Sequence, residues 1–290
     1  MGEGLSADQI ARAGARIQAR AESLRMLVLA GAGVLVLVWL VLQVDTPDSA
    51  PEAPPAVVFA PLPDFGAIGD VATKKRTFFG YLMPMIEARN REIRRTRAFL
   101  QEARGRLAAG EALSGETRQR LETLAERYRV AAPAGLGLEE VDLLLRRVDV
   151  LPPSLVLAQA ATESAWGTSR FARVANNLFG EWCFTEGCGV VPRSRVEGAT
   201  HEVEEFDSIY ASVQSYFRNL NSHPAYAEVR ERRAAARARG EPIRGLDLAA
   251  GLTRYSERGE HYVEELRAII RVNDLAVLDR VAPTQTAMAE

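Results

Sequence analysis

The stretch Leu151-Pro152-Pro153-Ser154-Leu155-Val156-Leu157-Ala158-Gln159-Ala160-Ala161-Thr162-Glu163-Ser164-Ala165-Trp166-Gly167 decides how this chain folds. It is almost wholly apolar and carries a single acid, Glu163, near its end. Pro152 and Pro153 impose an extended approach and then allow a helix to begin, while Gly167 suits the left-handed position that closes one. The expectation is a helix of about three turns. On it Glu163 shares a face with Val156, Gln159 and Ala160, so its carboxylate emerges from an apolar wall. Desolvation and the partial negative charge at a helix C-terminus both favour the neutral form of such an acid. A carboxylic acid that stays protonated near neutral pH can protonate a leaving oxygen, which makes Glu163 the candidate catalytic residue. The ordinary alternative is a last-turn surface glutamate. Against it stand Trp166, a flat ring able to carry a sugar, together with Gly167 and the nearby loop Asn176-Asn177-Leu178-Phe179-Gly180.

These same residues carry a family resemblance. Gln159-Ala160-Ala161-Thr162-Glu163-Ser164-Ala165-Trp166-Gly167-Thr168-Ser169, followed by Asn176-Asn177-Leu178-Phe179-Gly180, resembles the glucosaminidase domain of glycoside hydrolase family 73, most closely its bacterial membrane-anchored Bax-type branch. The resemblance runs from about Lys74 to Leu278. It implies a mostly α, lysozyme-like α+β fold, with a helical catalytic lobe and a small β-hairpin lobe that closes over a cleft and brings a second acid. The implied activity is hydrolysis of the β-1,4 bond after N-acetylglucosamine in peptidoglycan glycan strands, with neither metal nor cofactor. A lytic transglycosylase or muramidase, and a wall-binding scaffold without activity, are the alternative readings.

The rest of the chain fits around that centre. At 290 residues and 47% hydrophobic composition it can bury a substantial core, and a net charge of -2 argues against nucleic-acid binding. Residues 26–44 run for 19 positions without a charge, about 28 Å as a helix and enough to cross a bilayer. Arg12, Arg16, Arg20 and Arg25 precede this run, and Asp45 and Asp48 follow it, so the positive-inside rule puts the N-terminus in the cytoplasm and the remainder outside. The competing reading is a cleaved signal peptide, but the apolar run is long for one and no small-x-small site follows. The expected organisation is a cytoplasmic segment (1–25), a transmembrane helix of the bacterial inner membrane (26–44), a Pro-rich linker (45–70), a helical accessory segment (71–129), a periplasmic catalytic domain (130–280) and a loose tail (281–290). Sequence alone names no regulatory protein partner.

Phe78, Phe79, Leu82, Met85, Ile86, Ile93 and Leu100 mark the buried stripe of a long helix, with arginines on its other face. Shorter helices are expected through Leu121 to Tyr128, Leu138 to Val148, Ile209 to Asn221 and Tyr262 to Leu278. The charged, alanine-rich run Glu228 to Arg239 is expected to be a solvated, peripheral helix. Asn176, Asn177 and Gly180 tolerate left-handed backbone and suit a tight loop lining a cleft, where the asparagines and Phe179 would contact substrate. Cys183 and Cys188 lie in a chain expected to be extracytoplasmic, and they read as a disulfide rather than as two free thiols. The chain's three histidines show no metal-ligand spacing.

Short strands are expected at Val190-Val191 and from His201 to Phe206. Four acids there are eligible as the second carboxylate: Glu197, Glu202, Glu204 and Glu205. Alternation ranks Glu202 and Glu204 first. His223, in a turn before Pro224, is a weaker candidate base. By resemblance, Tyr255 is the cleft tyrosine that holds the acetamido group, and Tyr262 belongs to the core.

Overall fold

A computed structural model of the chain describes residues 58–280, except positions 134, 194, 196 and 197. The expected membrane span, the tail and the candidate Glu197 lie outside the described residues. Among the described residues, no helix is long and apolar enough to cross a membrane. The described residues from Phe59 to Arg280 form one compact unit.

Its helices are α1 (Val71–Ala108), α2 (Gly115–Arg127), α3 (Leu138–Arg147), α4 (Pro153–Glu163), α5 (Arg170–Val174), α6 (Ile209–Ser222), α7 (Ala227–Ala238), α8 (Gly245–Leu248) and α9 (Glu260–Val272). The strands are β1 (Trp182–Cys183), β2 (Gly189–Val190) and β3 (Glu202–Glu204). They form an antiparallel sheet with β3 in the middle, in which Trp182 faces Val203 and Gly189 faces Glu204. The molecule is thus mostly helical with a small three-stranded lobe, and β1 is a strand that the sequence did not suggest.

Helix α4 is the axis of the core: every residue from Ser154 to Ala161 is buried. Helices α1, α8 and α9 and the short 3-10 segment Leu275–Asp279 pack around it. Its first turn begins at prolines and lacks a local side-chain cap. Asp279 supplies one from far along the chain, accepting from the Ser154 N–H at 2.9 Å, the Ser154 hydroxyl at 2.6 Å and the Gly245 N–H at 2.8 Å. A buried carboxylate thereby satisfies donors that every helix N-terminus exposes. A β-carbon at Gly245 would lie 2.1 Å from the Ser154 hydroxyl, so only glycine allows α8 this close.

The approach to α4 is held by a charged cluster. Arg233 of α7 is fully buried and donates to the carbonyls of Arg146, Arg147, Asp149 and Val150 and to Asn221 Oδ1. Burial opposes the charge of Asp149, yet Arg233, Arg237 and Arg97 around its carboxylate hold it below the usual carboxylate range. This corrects the expectation for α7: Val229 and Arg233 are buried, so the helix is a structural wall and not a solvated fringe. Its period hides this because a buried arginine looks like any other in a charged run.

Two further expectations change. Part of the stretch expected as linker is packed on the helices: Phe59 lies against Tyr210, Tyr81 donates to the Ala60 carbonyl and Phe65 is buried against Phe78. The arginine face of α1 is also not wholly solvated: Arg89 is buried, and Arg97 donates to the carbonyls of Leu145 and Val148.

Replacing Arg233 by Leu would leave four carbonyls, two of them buried, without this donor and Asp149 with one cation fewer. We expect a loss of about 3–5 kcal/mol of stability, measured as a lower urea midpoint at unchanged slope. A midpoint within error of the parent would show that the guanidinium does not hold the α3 to α4 connection.

Candidate active site

Helix α4 ends at Glu163, four residues before the glycine expected to close it. Ser164 forms the turn, its hydroxyl donating to the Ala160 carbonyl at 2.6 Å and accepting from the Gly167 N–H at 2.8 Å. Ala165, Trp166 and Gly167 all have positive φ, at 48°, 59° and 76°. Glycine is required at the last of these, because a β-carbon there would lie 2.5 Å from the Phe65 ring. The Glu-Ser-x-x-Gly pattern therefore reverses the chain directly beneath the acid.

Glu163 is half-buried at the C-terminus of α4. Burial raises its pKa; a hydrogen bond from Tyr262 and the nearby Arg258 oppose that rise, and Glu265 adds to it. Tyr262 stands at the end of a buried relay. The Tyr216 hydroxyl donates to Gln159 Oε1, Gln159 Nε2 donates to the Tyr262 oxygen at 3.0 Å, and the Tyr262 hydroxyl turns to Glu163. Gln159 is one turn before Glu163 on the same helix face, as its spacing requires. Burial and the Glu163 charge raise the Tyr262 pKa far above the phenol range, so this residue stays a neutral donor.

The loop Asn176–Gly180 lies against this end of α4. Gly180, at φ 65°, would place a β-carbon 3.7 Å from Glu163 Oε2. Asn177 is buried and fully occupied: its amide donates to the carbonyls of Glu181 and Glu204, and its oxygen accepts from the N–H groups of Phe179 and Glu181. The Asn176 amide donates to the Phe206 carbonyl at 2.8 Å. Phe179 is buried and stacked on Tyr216 at 4.0 Å. The asparagines thus clasp the hairpin to the helical lobe, and Phe179 fills the core. Trp166 likewise packs edge-on against Phe78 and Phe79, with Lys75 over its ring, and is a core-facing residue more than a platform.

Tyr262 is a core residue, as expected, but its hydroxyl also meets Glu163. The Tyr255 hydroxyl donates to the Phe179 carbonyl at 2.8 Å, so it braces the loop, while the buried Tyr262 reaches Glu163. Their rings are parallel at 5.6 Å, and Tyr226 lies 5.6 Å beyond Tyr255, giving a row of three rings.

That row leads to a cleft of about 360 Å³ lined by Glu181, Glu204, Trp182, Phe184, Arg129, Arg218, His223 and Tyr226, among others. Of the two hairpin acids ranked first, Glu204 lines this cleft, and burial raises its pKa against the opposing Arg218. Glu202 does not line it. Its buried carboxylate accepts from the N–H groups of Gly187 at 3.2 Å and Gly189 at 2.9 Å, closing the loop that the Cys183–Cys188 disulfide also spans. His223 accepts from the Ala225 N–H through Nδ1, a local turn bond.

Glu181 was missed. Burial and the neighbouring Glu204 push its pKa up to about 8, against Ser215, Arg218 and Asn219, and its Oε2 atom is sealed from solvent without a hydrogen-bond partner. The only sequence signal was its position directly after the Asn-Asn-Leu-Phe-Gly loop. Glu163, with its raised pKa, thus meets the tyrosine row at Tyr262, while Glu181 and Glu204, both also raised, share the cleft with Tyr226.

A glucosaminidase family model, described as mannosyl-glycoprotein endo-beta-N-acetylglucosaminidase, matches residues 139–275. Protein Bax of Escherichia coli is 34% identical over 214 residues, which cover 73% of this chain and 74% of that protein. Among solved structures, the catalytic domain of the autolysin Auto from Listeria monocytogenes is 22% identical, covering 61% of this chain and 96% of that domain at a TM-score of 0.34. The matched residues span α4, the loop, the hairpin and the tyrosine row, and the chain is a glycoside hydrolase that belongs to the glucosaminidase family, glycoside hydrolase family 73.

Proposed function

We propose that this chain is an endo-β-N-acetylglucosaminidase that cuts the β-1,4 bond after N-acetylglucosamine in peptidoglycan, held at the bacterial inner membrane by residues 26–44 with its catalytic domain in the periplasm. The observation that carries the chemistry is the placement of Glu163. It is the last residue of an apolar helix, desolvated, at the negative end of the helix dipole and hydrogen-bonded by a neutral phenol. Each of the first two effects favours a proton on the carboxyl, and that proton is what the departing glycosidic oxygen takes up. Glu204, the ranked hairpin acid whose carboxyl lines the cleft, is suited to activate water for the second half of the reaction. No cofactor enters this scheme.

Digestion of purified peptidoglycan by the full-length protein tests the reading. Glu163→Gln is expected to lower muropeptide release by roughly 10²–10⁴-fold at unchanged circular dichroism, and Glu204→Gln to lower it as well. Products should end in reducing N-acetylglucosamine; anhydro ends would assign the chain to transglycosylases instead, and a Glu163→Gln variant as active as the parent would remove the mechanism.

The pH dependence follows from the same carboxyl. Glu163 acts while protonated, so activity falls as pH rises through its raised pKa. Tyr262 donates to the charged form and therefore holds that pKa down. Tyr262→Phe keeps the buried ring but removes the donor, so the alkaline limb of kcat/KM is expected to move to higher pH. An unmoved or lowered limb would contradict the assignment.

The anchor has its own test. The full-length chain should stay in the membrane fraction through alkaline carbonate washing, and deletion of residues 1–44 should release it; recovery of the intact chain in the wash would refute anchoring.

A further inference from the structure

The hairpin lobe keeps two large apolar side chains in solvent: Trp182 is 56% exposed and Phe184 73%. The backbone that carries them is braced from several sides. The Cys183–Cys188 disulfide closes the loop, Glu202 caps its Gly187 and Gly189 N–H groups, and both flanking strands pair with β3. Trp182 is also backed by His201, whose ring lies parallel to the indole at 4.2 Å, with 12° between their planes. One face of the indole is thus covered by protein, and the side chain lines the cleft that holds Glu181 and Glu204. An aromatic ring held this firmly yet left in water is unfavourable unless a partner covers it.

We propose that Trp182 and the cleft beside it form a saccharide subsite, which takes one pyranose ring of the glycan strand on the open face of the indole; this rests on the reading of the chain as a peptidoglycan glucosaminidase. A pyranose has a face of C–H groups that matches an indole and an edge of hydroxyl and acetamido groups that needs polar partners. Arg129, Arg218 and Asn219 line the same cleft and provide them. A protein or lipid surface would need a broader apolar patch than two rings set among charged side chains. Tyr226 also lines the cleft, and its ring begins the row through Tyr255 to the buried Tyr262, the partner of Glu163, so packed rings connect the wall of the subsite with the acid. The sugar platform expected of Trp166 is thereby reassigned to Trp182, and Glu202 becomes the residue that holds the platform's loop.

Binding is measured in the full-length Glu163→Gln background, which keeps substrate intact, with two probes: sedimentation with insoluble peptidoglycan and titration with the β-1,4-linked hexamer of N-acetylglucosamine. Trp182→Ala is expected to weaken both by about tenfold, and Trp182→Phe by less, since it keeps an aromatic face. With Glu163 restored, Trp182→Ala should lower kcat/KM chiefly through KM. The hexamer should change tryptophan fluorescence in the parent but not in Trp182→Phe, a readout that a misfolded hairpin in the Ala variant does not affect. Parent-like affinity of Trp182→Ala for both probes, or an unaltered fluorescence response in Trp182→Phe, would overturn the subsite. If the Glu163→Gln parent itself fails to bind peptidoglycan while the hexamer results hold, the choice of polymer is wrong and the subsite stands.

Discussion

A guanidinium placed out of reach of water has to find an acceptor for its N–H groups, and Arg233 finds them in the carbonyls that leave α3 and approach α4. Those carbonyls have no helical partner of their own, so the arrangement satisfies both sides at once. It fixes the path of the chain into Pro152 and Pro153 and hence the direction of α4. Asp279 completes the constraint from the other side by capping the first turn. With its entry and first turn held by charge, an apolar helix can be packed on every side and still present its final residue at one defined place.

That final residue gains its chemistry from the same packing. Glu163 sits where the helix stops, because Ser164 and the left-handed residues after it turn the chain away at once. The relay from Tyr216 through Gln159 to Tyr262 runs inside the core and ends on the carboxylate, so a buried phenol meets the acid from within while Arg258 and Glu265 act on it from the surface. The loop from Asn176 to Gly180 then does two jobs. Its asparagines clasp the hairpin, and its glycine lets the backbone approach the acid. A motif that looks like substrate recognition in the sequence acts here mainly as assembly of the two lobes.

The hairpin is too small to be stable by its own strands, which are two or three residues long. A disulfide, the Glu202 carboxylate and the Asn177 amide supply what the ladder lacks. This explains why an acid with the right alternation turned out to be a loop brace, while the acids that face the cleft are Glu204 and the unsuspected Glu181.

What the sequence determined by itself is local. Apolar spacing located α1, α4 and α6, Pro and Gly marked where α4 could begin and the chain reverse, and a four-residue offset put Gln159 and Glu163 on one face, whereas the expected last helix to Leu278 stops at Val272 and gives way to a 3-10 turn. These depend on helix geometry and backbone sterics, which act between near neighbours. Only the tertiary structure decided that α4 stops at Glu163, that Asp279 caps it from 125 residues away, that Arg233 in a charged run is buried, and that Tyr262 rather than Tyr255 meets the acid. Each of those outcomes depends on which polar group finds a partner once water is excluded. Periodicity tells which side of a helix is buried, but not which distant acceptor will be waiting there.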